Sequence, residues 1–236
     1  MTIEQLLDNL KNMKKTQPDT TTKSTQLPAK QRIVEAAIEM FNQQGTLAVS
    51  TNHIAKHAGV SPGTLYYHFR TKNDIIYAIM EKIRGYDQQV FTDISAHPSQ
   101  DKLAFFNFVL QSINRHNWQF RFFKRDMTAL CAGDEELARR YGQFQQSRIE
   151  YLQQFIKFAI LIEIFKPISS DTLQFLANQL WLNVHYWNLH LVNNNREVNQ
   201  QNIAELETCI RHLLLPYFTD PIALKVQEQL DNKEIE

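Results

Sequence analysis

The sequence predicts an all-α protein, and two observations carry that prediction. Among 236 residues there are only 6 Gly and 7 Pro, while helix-forming residues are plentiful. Apolar residues recur at helical spacing along much of the chain, and no run shows the alternation bounded by turn dipeptides that is typical of strands. The length allows a sizeable core, either in one large domain or in a small domain followed by a larger one.

Charge and cysteine content narrow the class of protein. The formal net charge is zero, but residues 1–80 hold nine Lys or Arg against six Asp or Glu, which is weak evidence for a nucleic-acid partner. Cys131 and Cys209 have no neighbours at metal-ligand spacing, and so low a cysteine content indicates a reducing compartment. Because there is no signal segment and no apolar run of about 18 residues, we expect a cytoplasmic protein with no membrane span.

The first predicted element is a short helix over residues 1–14. Its apolar residues fall on one face: Ile3, Leu6, Leu7, Leu10 and Met13. Residues 15–29 are polar and rich in Thr, Ser and Pro, which predicts a linker. Residues 1–29 are therefore interpreted as an N-terminal extension.

The next two predicted helices begin at Lys30 and at Thr51. The first has an apolar stripe and a plausible stop at Gly45. Ser50 can cap the second helix, which covers about residues 51–58. The stripe of the first helix consists of Ile33, Ala37, Met40 and Phe41.

Two further helices follow within a few residues. Ser61 can cap the third, with Pro62 at the first helical position, where its missing N–H costs nothing. Thr71 can cap the fourth, and Asp74 lies where the acidic residue of a capping box belongs. The fourth helix is expected to run to about Ile94.

The remainder of the chain is predicted to be a set of long helices. The sequences "AGD" at 132–134 and "KPISSD" at 166–171 are the clearest boundaries. The helices are expected at about residues 99–116, 118–131, 134–165, 169–193 and 201–215.

The spacing of small and apolar residues after Thr51 predicts a helix-turn-helix. Ala55, four residues on, is small enough for a second helix to pass close by, and Gly59 can supply the left-handed backbone of a tight turn. Leu65 would then anchor the second helix in the shared core. The outer side of that helix could enter a DNA major groove and would consist of Pro62, Gly63, Thr64, Tyr67 and His68.

Two sites near these helices could hold phosphate groups. Lys72 follows at a new helix start, where its charge is well placed for a phosphate. The hydroxyls of Ser50 and Thr51, with the positive end of the helix that they begin, offer a second site.

A family resemblance is carried by two runs and by the helix that follows them. The runs are "IVEAAIEMFNQQG" (33–45) and "IAKHAGVSPGTLYYHFRTKNDII" (54–76). Over roughly residues 30–85 the chain resembles the TetR family of bacterial repressors. The resemblance implies a three-helix helix-turn-helix DNA-binding head over residues 30–76. It also implies a larger helical ligand-binding and dimerisation body over 77–236, which the fourth helix links to the head.

The resemblance assigns DNA contacts residue by residue. Two positions depart from the family pattern: Thr46 stands where an aromatic residue usually follows the glycine, and Thr51 stands where an aliphatic residue usually packs. Asn52 matches a position that can read a base in some members. The positions that match DNA contacts are Ser50, Thr51, Pro62, Gly63, Thr64, Tyr66, Tyr67, His68 and Lys72.

Several residues in the head have structural interpretations instead. Leu65 and Phe69 belong to the core in any interpretation. Tyr66 could pack its ring, place its hydroxyl on a phosphate, or both. His53 and His57, four residues apart on one helix, could share a metal, but two histidines without a third ligand make a poor site, and a polar face near DNA is favoured.

The predicted body is rich in aromatic residues, most of which are expected to form its core. A small-molecule pocket between helices would be lined by similar side chains with a few polar groups. In the run 121–141, Arg125 could hold an anionic ligand, although a solvated or salt-bridged face that includes Arg121, Lys124 and Asp126 is favoured. The candidate ligand-binding residues are Phe105, Trp118, Phe122, Phe155, Trp181 and His185.

The last two predicted helices, 169–193 and 201–215, carry apolar stripes that could close the core of one chain. In the resembled family the matching helices pair across a two-fold axis, which implies a homodimer through these two helices. A dimer also suits DNA binding, because one recognition helix buries too little surface for tight specific binding. The stripes consist of Leu173, Leu180, Val184, Trp187 and Leu191, then Ile203, Leu206, Ile210 and Leu213.

The sequence therefore predicts a ligand-responsive DNA-binding transcriptional regulator. The resemblance favours a repressor that is released from double-stranded operator DNA by a small apolar or amphipathic effector. The alternatives are a helical carrier or enzyme with a structural head, and an architectural DNA binder without a ligand. No spaced nucleophile and base, Gly-rich phosphate loop or metal cluster supports an enzyme, and no cofactor is expected.

Overall fold

The computed structural model describes residues 27–96 and 101–233, and these residues are almost entirely helical. Within those ranges there is no β-strand, and a single antiparallel bridge joins Phe165 and Phe218. The predicted all-α class is thus confirmed. The helix predicted at 1–14, and all but the last residues of the linker predicted at 15–29, lie outside the described residues.

The chain forms two compact units, residues 1–97 and 98–236. In the described part of the first unit the helices are α1 (Ala29–Gln44), α2 (Thr51–His57), α3 (Pro62–His68) and α4 (Lys72–Ala96). These confirm the four predicted helices to within about two residues at each end. The units divide at the end of α4, whereas the sequence analysis divides head from body at residue 76; that functional boundary stays a prediction.

The predicted helix caps are present in the first unit. The Ser50 hydroxyl accepts from the backbone N–H of His53, and the Ser61 hydroxyl accepts from that of Thr64. Thr71 and Asp74 exchange hydrogen bonds of 2.9 and 3.1 Å between side chain and backbone, which completes a capping box. Among the helices described in this unit, α2, α3 and α4 therefore start at the residues that their capping chemistry selects.

A small apolar core holds the first four helices together. Gly45 and Gly59 have φ values of 82° and 64°, so both turn the chain in a conformation that favours glycine. The α1 helix packs on α2, α3 and α4, and α2 packs on α3. The residues buried at this centre include Ile33, Ala37, Phe41, Ile54, Ala55, Leu65, Phe69, Ile75 and Ile79.

The described part of the second unit contains six further helices. They are α5 (Lys102–Gln119), α6 (Arg121–Ala132), α7 (Glu135–Leu161), α8 (Ser170–Asn193), α9 (Gln200–Leu214) and α10 (Asp220–Lys233), with a short 3-10 turn at Leu215–Tyr217. The α8 helix packs on α6, α7 and α9, and α9 also packs on α5. The sequence analysis identified five of these helices.

Two boundaries in the second unit differ from the prediction. The break expected before residue 118 falls at Phe120, which leaves helical geometry with its side chain fully buried. The helix expected to reach residue 165 ends at Leu161, and Glu163 takes a left-handed φ of 58°. That turn delivers Phe165 to its bridge with Phe218, a contact between distant segments that an uninterrupted apolar run does not reveal.

The α10 helix was not predicted. It carries Ile222, Val226 and Leu230 at fourfold spacing, and all three are buried. Pro221 lies in its first turn, where proline is tolerated. Among the described residues, no helix combines the length and apolar character that crossing a bilayer requires.

Candidate nucleic-acid interface and effector site

One face of α3 is buried and the other is open to solvent. Leu65 and Phe69 are buried in the core of the first unit, as predicted. On the opposite side Pro62, Gly63 and Tyr67 are exposed, and Tyr67 is 86% exposed. Because a large aromatic ring gains nothing from such exposure in the isolated chain, this face is suited to contact another molecule.

The beginning of α3 is fixed by hydrogen bonds of Ser61 and has open space beside Gly63. The Ser61 hydroxyl accepts from the Thr64 backbone N–H at 3.0 Å and bonds the Thr64 hydroxyl at 2.9 Å. A Cβ on Gly63 would meet nothing nearer than the Ser61 hydroxyl at 3.8 Å, so packing does not require the glycine there. Its effect is to leave an open backbone surface that another molecule can approach closely.

A hydrogen bond joins the start of α2 to α3. The Tyr66 hydroxyl lies 3.1 Å from the Thr51 hydroxyl, and Tyr66 remains 47% exposed. The Ser50 hydroxyl is used in the cap of α2. Asn52 is the third residue at this helix start that is predicted to contact DNA. It is exposed and has no hydrogen-bond partner among the described residues.

Lys72 has an internal role that the sequence analysis did not predict. Its ammonium donates to the backbone carbonyls of Thr46, at 2.7 Å, and Val49, at 3.1 Å, and so holds the connection between α1 and α2. Partial burial lowers the pKa of Lys72. One N–H of the three remains for a phosphate, so a DNA contact by Lys72 stays a prediction with fewer donors than expected.

The two histidines of α2 have separate partners. The Nδ1 atom of His53 accepts from the Ser50 backbone N–H at 3.4 Å, and the Nε2 atom of His57 lies 2.9 Å from the Glu39 carboxylate. The His57 ring lowers the pKa of Glu39. Across residues 27–96 and 101–233, no group of three His, Cys, Asp or Glu could hold a metal ion.

Two exposed cations near α3 were not singled out in the sequence. Lys56 lies on α2 and Arg70 directly follows Phe69, and neither side chain forms a hydrogen bond or ion pair with the described part of the chain. Both therefore have all their donors available for phosphate oxygens. The signal in the sequence was their position on either side of the predicted recognition helix.

The candidate effector residues of the second unit have several kinds of aromatic contact. Trp181 and His185 stack with ring centroids 4.8 Å apart. Phe105 packs near Phe158, and the half-exposed Trp118 lies under the Arg121 guanidinium at 4.0 Å. The candidates Phe122 and Phe155 are both buried. The pair on α8 lies at the polar cluster described next.

A buried polar cluster lies where α5, α6, α7 and α8 meet. The Tyr141 hydroxyl and the Nε2 atom of His185 are 2.9 Å apart. The Lys124 ammonium donates to the Asn117 side-chain oxygen and to the Val184 backbone carbonyl. Asn188, one turn beyond Val184 on α8, is also buried. We call these residues, together with His116 and Arg148, the polar cluster.

Burial dominates the ionisation of the polar cluster. It lowers the pKa of Lys124 to about 7. Burial, reinforced by the Lys124 charge, lowers the pKa of His116 to about 3, and burial with Lys124 and Arg148 does the same for His185. Burial also raises the pKa of Tyr141. Both imidazoles and the phenol are thus uncharged at neutral pH, and the site has a positive character.

The basic run on α6 separates into two kinds of residue. Arg125 and Asp126 form an ion pair at 2.6 Å, which agrees with the favoured salt-bridged face. Lys124 does not belong to that face, because it is buried. The interpretation of Lys124 as a solvated charge is wrong, since Lys124 lies one turn from Phe120 and Met127, both of which are buried.

Comparison with known families identifies the chain. Residues 85–223, more than half of the sequence, match the TetR family described as a bacterial transcriptional repressor. Residues 33–79 match the N-terminal domain of the bacterial regulatory proteins of the tetR family. The chain belongs to the TetR family. This confirms the resemblance seen in the sequence.

A relative from Staphylococcus aureus is similar over part of the chain. An HTH-type transcriptional regulator of Staphylococcus aureus is 42% identical over 53 residues, which are 22% of this chain and 29% of that protein. The chain therefore matches less than a third of this relative's length.

Solved TetR-family structures are similar over most of the chain. A TetR-family transcriptional regulator from Marinobacter aquaeolei is 27% identical with a TM-score of 0.70, covering 87% of this chain and 98% of that one. A TetR transcription regulator from Haloarcula marismortui shares the fold at 14% identity and a TM-score of 0.62, covering 81% and 98%. The TetR family is one of regulators, so the enzyme alternative is not favoured.

Proposed function

We propose that the chain is a repressor that binds double-stranded operator DNA and is released by a small-molecule effector. The observation that carries this proposal is the exposed face of α3, on which Tyr67 projects above an anchored Leu65. A helix with one face packed in the core and the opposite face exposed to solvent can enter a major groove.

The proposed DNA contacts divide into two groups by chemistry. Thr64 and His68 are half-buried, and Pro62, Gly63 and Tyr67 are exposed, so this face would read base edges in the groove. Phosphate contacts would come from Lys56 and Arg70, with further contacts from Ser50, Thr51, Asn52, Tyr66 and Lys72. The Tyr66 hydroxyl can donate to a phosphate while it accepts from the Thr51 hydroxyl, because either hydroxyl of that pair can be the donor.

A second copy of the chain is the proposed partner of α8. The residues of the predicted stripe that are most apolar, such as Leu180 and Val184, are buried within the chain, as are Ile203, Leu206 and Ile210 on α9. A different α8 face remains exposed, and its residues recur at helical spacing. They are Phe175, Leu182, Tyr186 and Leu189, which are between 38% and 51% exposed.

An exposed apolar stripe on one helix suits self-association about a two-fold axis, because the same stripe serves both chains. The α9 helix packs beside α8 and would flank the interface, in agreement with the predicted pairing of residues 169–193 and 201–215. Such a dimer would present two α3 helices to half-sites about 34–36 Å apart on one face of DNA. We propose that it acts in the cytoplasm, where operator DNA is accessible.

The proposed effector binds in the second unit, and its binding shifts the population of conformers. An effector lowers operator affinity if it binds more tightly to a conformer in which the spacing of the two heads does not fit the DNA. The size of the decrease is limited by the difference between the effector's affinities for the two conformers. The aromatic side chains Phe105, Trp118, Phe122, Phe155 and Trp181, with His185, are the proposed lining. The buried polar cluster supports a site in this region, because buried polar groups in a helical body are costly unless they serve a ligand or a network.

The decisive experiment measures binding to the DNA upstream of the gene for this protein. We expect fluorescence anisotropy to show saturable binding to that DNA and much weaker binding to unrelated DNA of equal length. Tyr67→Ala should weaken binding, whereas Leu224→Ala, which truncates an exposed apolar side chain in the second unit, should not.

Each rival gives a different result in the same assay. A carrier or enzyme would bind neither DNA. An architectural protein would bind both DNAs equally. Equal affinity of the wild-type protein and Tyr67→Ala for upstream DNA would contradict the proposed role of α3.

A further inference from the structure

The Lys124 ammonium is a buried charge without a counterion. It lies inside the second unit and donates to two neutral oxygens, those of Asn117 and Val184. Among the described residues, no carboxylate pairs with it. An ammonium has three N–H donors, so one is left over. Buried charges in proteins are normally paired, which makes this lysine a candidate for binding an anion.

Two buried amides belong to this region: Asn117 bonds Lys124 directly, and Asn188 lies one turn beyond Val184, whose carbonyl Lys124 also bonds. The Asn117 side chain is fully buried and gives its oxygen to Lys124, while its nitrogen has no hydrogen-bond partner in the described part of the chain. Asn188 is 3% exposed, and neither of its side-chain polar atoms has a partner there. Because buried polar atoms without partners are rare in native proteins, these amides favour a polar ligand in this region.

The free donors define the ligand's polar end. The third N–H of Lys124 and the amide N–H groups of Asn117 and Asn188 all donate, and they require acceptor atoms. A carboxylate supplies two acceptor oxygens and one negative charge, which matches one buried ammonium. A neutral alcohol supplies one acceptor and leaves the charge uncompensated.

The surroundings define the ligand's other end. Trp181 stacks on His185, and the Arg148 guanidinium lies 5.7 Å from the Trp181 ring centroid and 5.9 Å from that of Phe144. Phe123 packs edge-on against Phe144 and Tyr141. These rings favour an apolar or aromatic tail.

We propose that the effector of this regulator is an amphipathic organic carboxylate, whose anionic head binds Lys124, Asn117 and Asn188. This inference rests on the proposed function, because it names the chemical class of the effector. The carboxylate gives Lys124 a counterion and accepts from the side-chain N–H groups of the two amides. Lys124 is a ligand-binding residue here, and Asn188 is a buried polar residue of α8 that would contact the same head group.

The test compares carboxylates with alcohols of the same skeleton. Binding of decanoate, phenylacetate, decanol and phenylethanol to the full chain is measured by isothermal titration calorimetry and by the shift in melting temperature. The variants are Lys124→Met, which keeps the length of the side chain and removes its charge, and Lys225→Met, which removes an exposed lysine of the same unit. Asn188→Leu is a second variant that leaves Lys124 in place.

We expect at least one carboxylate to bind the wild-type chain and its alcohol to bind more weakly. Lys124→Met should weaken that carboxylate by about tenfold to a hundredfold, the value of a charge-assisted hydrogen bond, and should leave the alcohol unchanged. Asn188→Leu should weaken it by a smaller factor. Lys225→Met should bind as the wild type does.

Three results would overturn the inference: no binding of either carboxylate, equal binding of carboxylate and alcohol, or carboxylate binding that Lys124→Met and Asn188→Leu leave intact. The Asn188→Leu result decides the matter if Lys124→Met fails to fold. Upstream-DNA binding is measured on the same samples without carboxylate. Specific DNA binding with no carboxylate effect rejects this inference alone, whereas carboxylate binding without any DNA binding rejects the proposed function.

Discussion

Replacing Lys124 by Met should change how the stability of the protein depends on pH. Burial lowers the pKa of Lys124 from 10.5 to about 7 in the folded chain, whereas the unfolded chain keeps the ordinary value. Between those two values the unfolded state binds a proton that the folded state does not. The free energy of unfolding therefore rises with pH in this window, by up to about 1.4 kcal/mol per pH unit.

The direction follows from the two protonation states. Above the unfolded pKa the amine is neutral in both states and burial carries no charge penalty. As the pH falls, the penalty grows and is fully present below the folded pKa. From pH about 7 to about 9 the wild-type chain should gain about 2 kcal/mol relative to Lys124→Met, because the buried amine is still half protonated at the lower pH. His116 and His185, with folded-state pKa values of about 3, are present in both proteins, so their contributions cancel in the comparison.

The measurement is urea unfolding followed by circular dichroism at both pH values and at one protein concentration, because a dimer's stability depends on concentration. The Lys225→Met variant, which alters an exposed lysine, should keep the wild-type pH dependence. A stability difference between wild type and Lys124→Met that is the same at both pH values would refute the reasoning. It would mean that Lys124 is solvated in the folded chain.

Three further predictions concern the first unit and the α8 face. Tyr67→Ala should lower affinity for upstream DNA by about tenfold without altering urea unfolding, because the side chain is 86% exposed. A decrease of about 1.4 kcal/mol in the free energy of unfolding would instead show that the ring stabilises the fold. Lys72→Met should destabilise the chain by about 1–2 kcal/mol in urea, because the carbonyls of Thr46 and Val49 lose their donor; unchanged stability with a lower salt slope of DNA binding would make it a phosphate contact only. Leu182→Glu should convert a dimer into a monomer in sedimentation velocity, because it places a charge in the exposed apolar stripe; an unchanged sedimentation coefficient would remove α8 from the interface.

The first unit could be predicted closely because its constraints are local. Gly59 adopts the left-handed turn that the spacing from Thr51 required, and Leu65 is buried as expected. Ser50, Ser61 and Thr71 all cap the helices that follow them. Each of these features depends on residues within a few positions of one another, so the sequence pattern contains the needed information.

The contacts between distant segments could not be predicted in the same way. Lys72 reaches carbonyls 23 and 26 residues earlier, and Lys124 reaches a carbonyl 60 residues later. A charged residue in a basic run is most often solvated, which misled the interpretation of Lys124. The stripe that includes Leu180 and Val184 was recognised as apolar, but only the packing of α6, α7 and α9 around α8 shows which of its two apolar faces is covered.

The hydrogen bond between the hydroxyls of Thr51 and Tyr66 links the two short helices of the helix-turn-helix in the protein without DNA. The α2 and α3 helices have seven residues each, too few to persist alone, and this 3.1 Å bond fixes one against the other at the solvent boundary. The pair contains two O–H donors and uses only one of them, so the other can still donate to a phosphate. A phosphate bound there would therefore contact two helices that are already fixed against each other, and it would not have to break the bond between them.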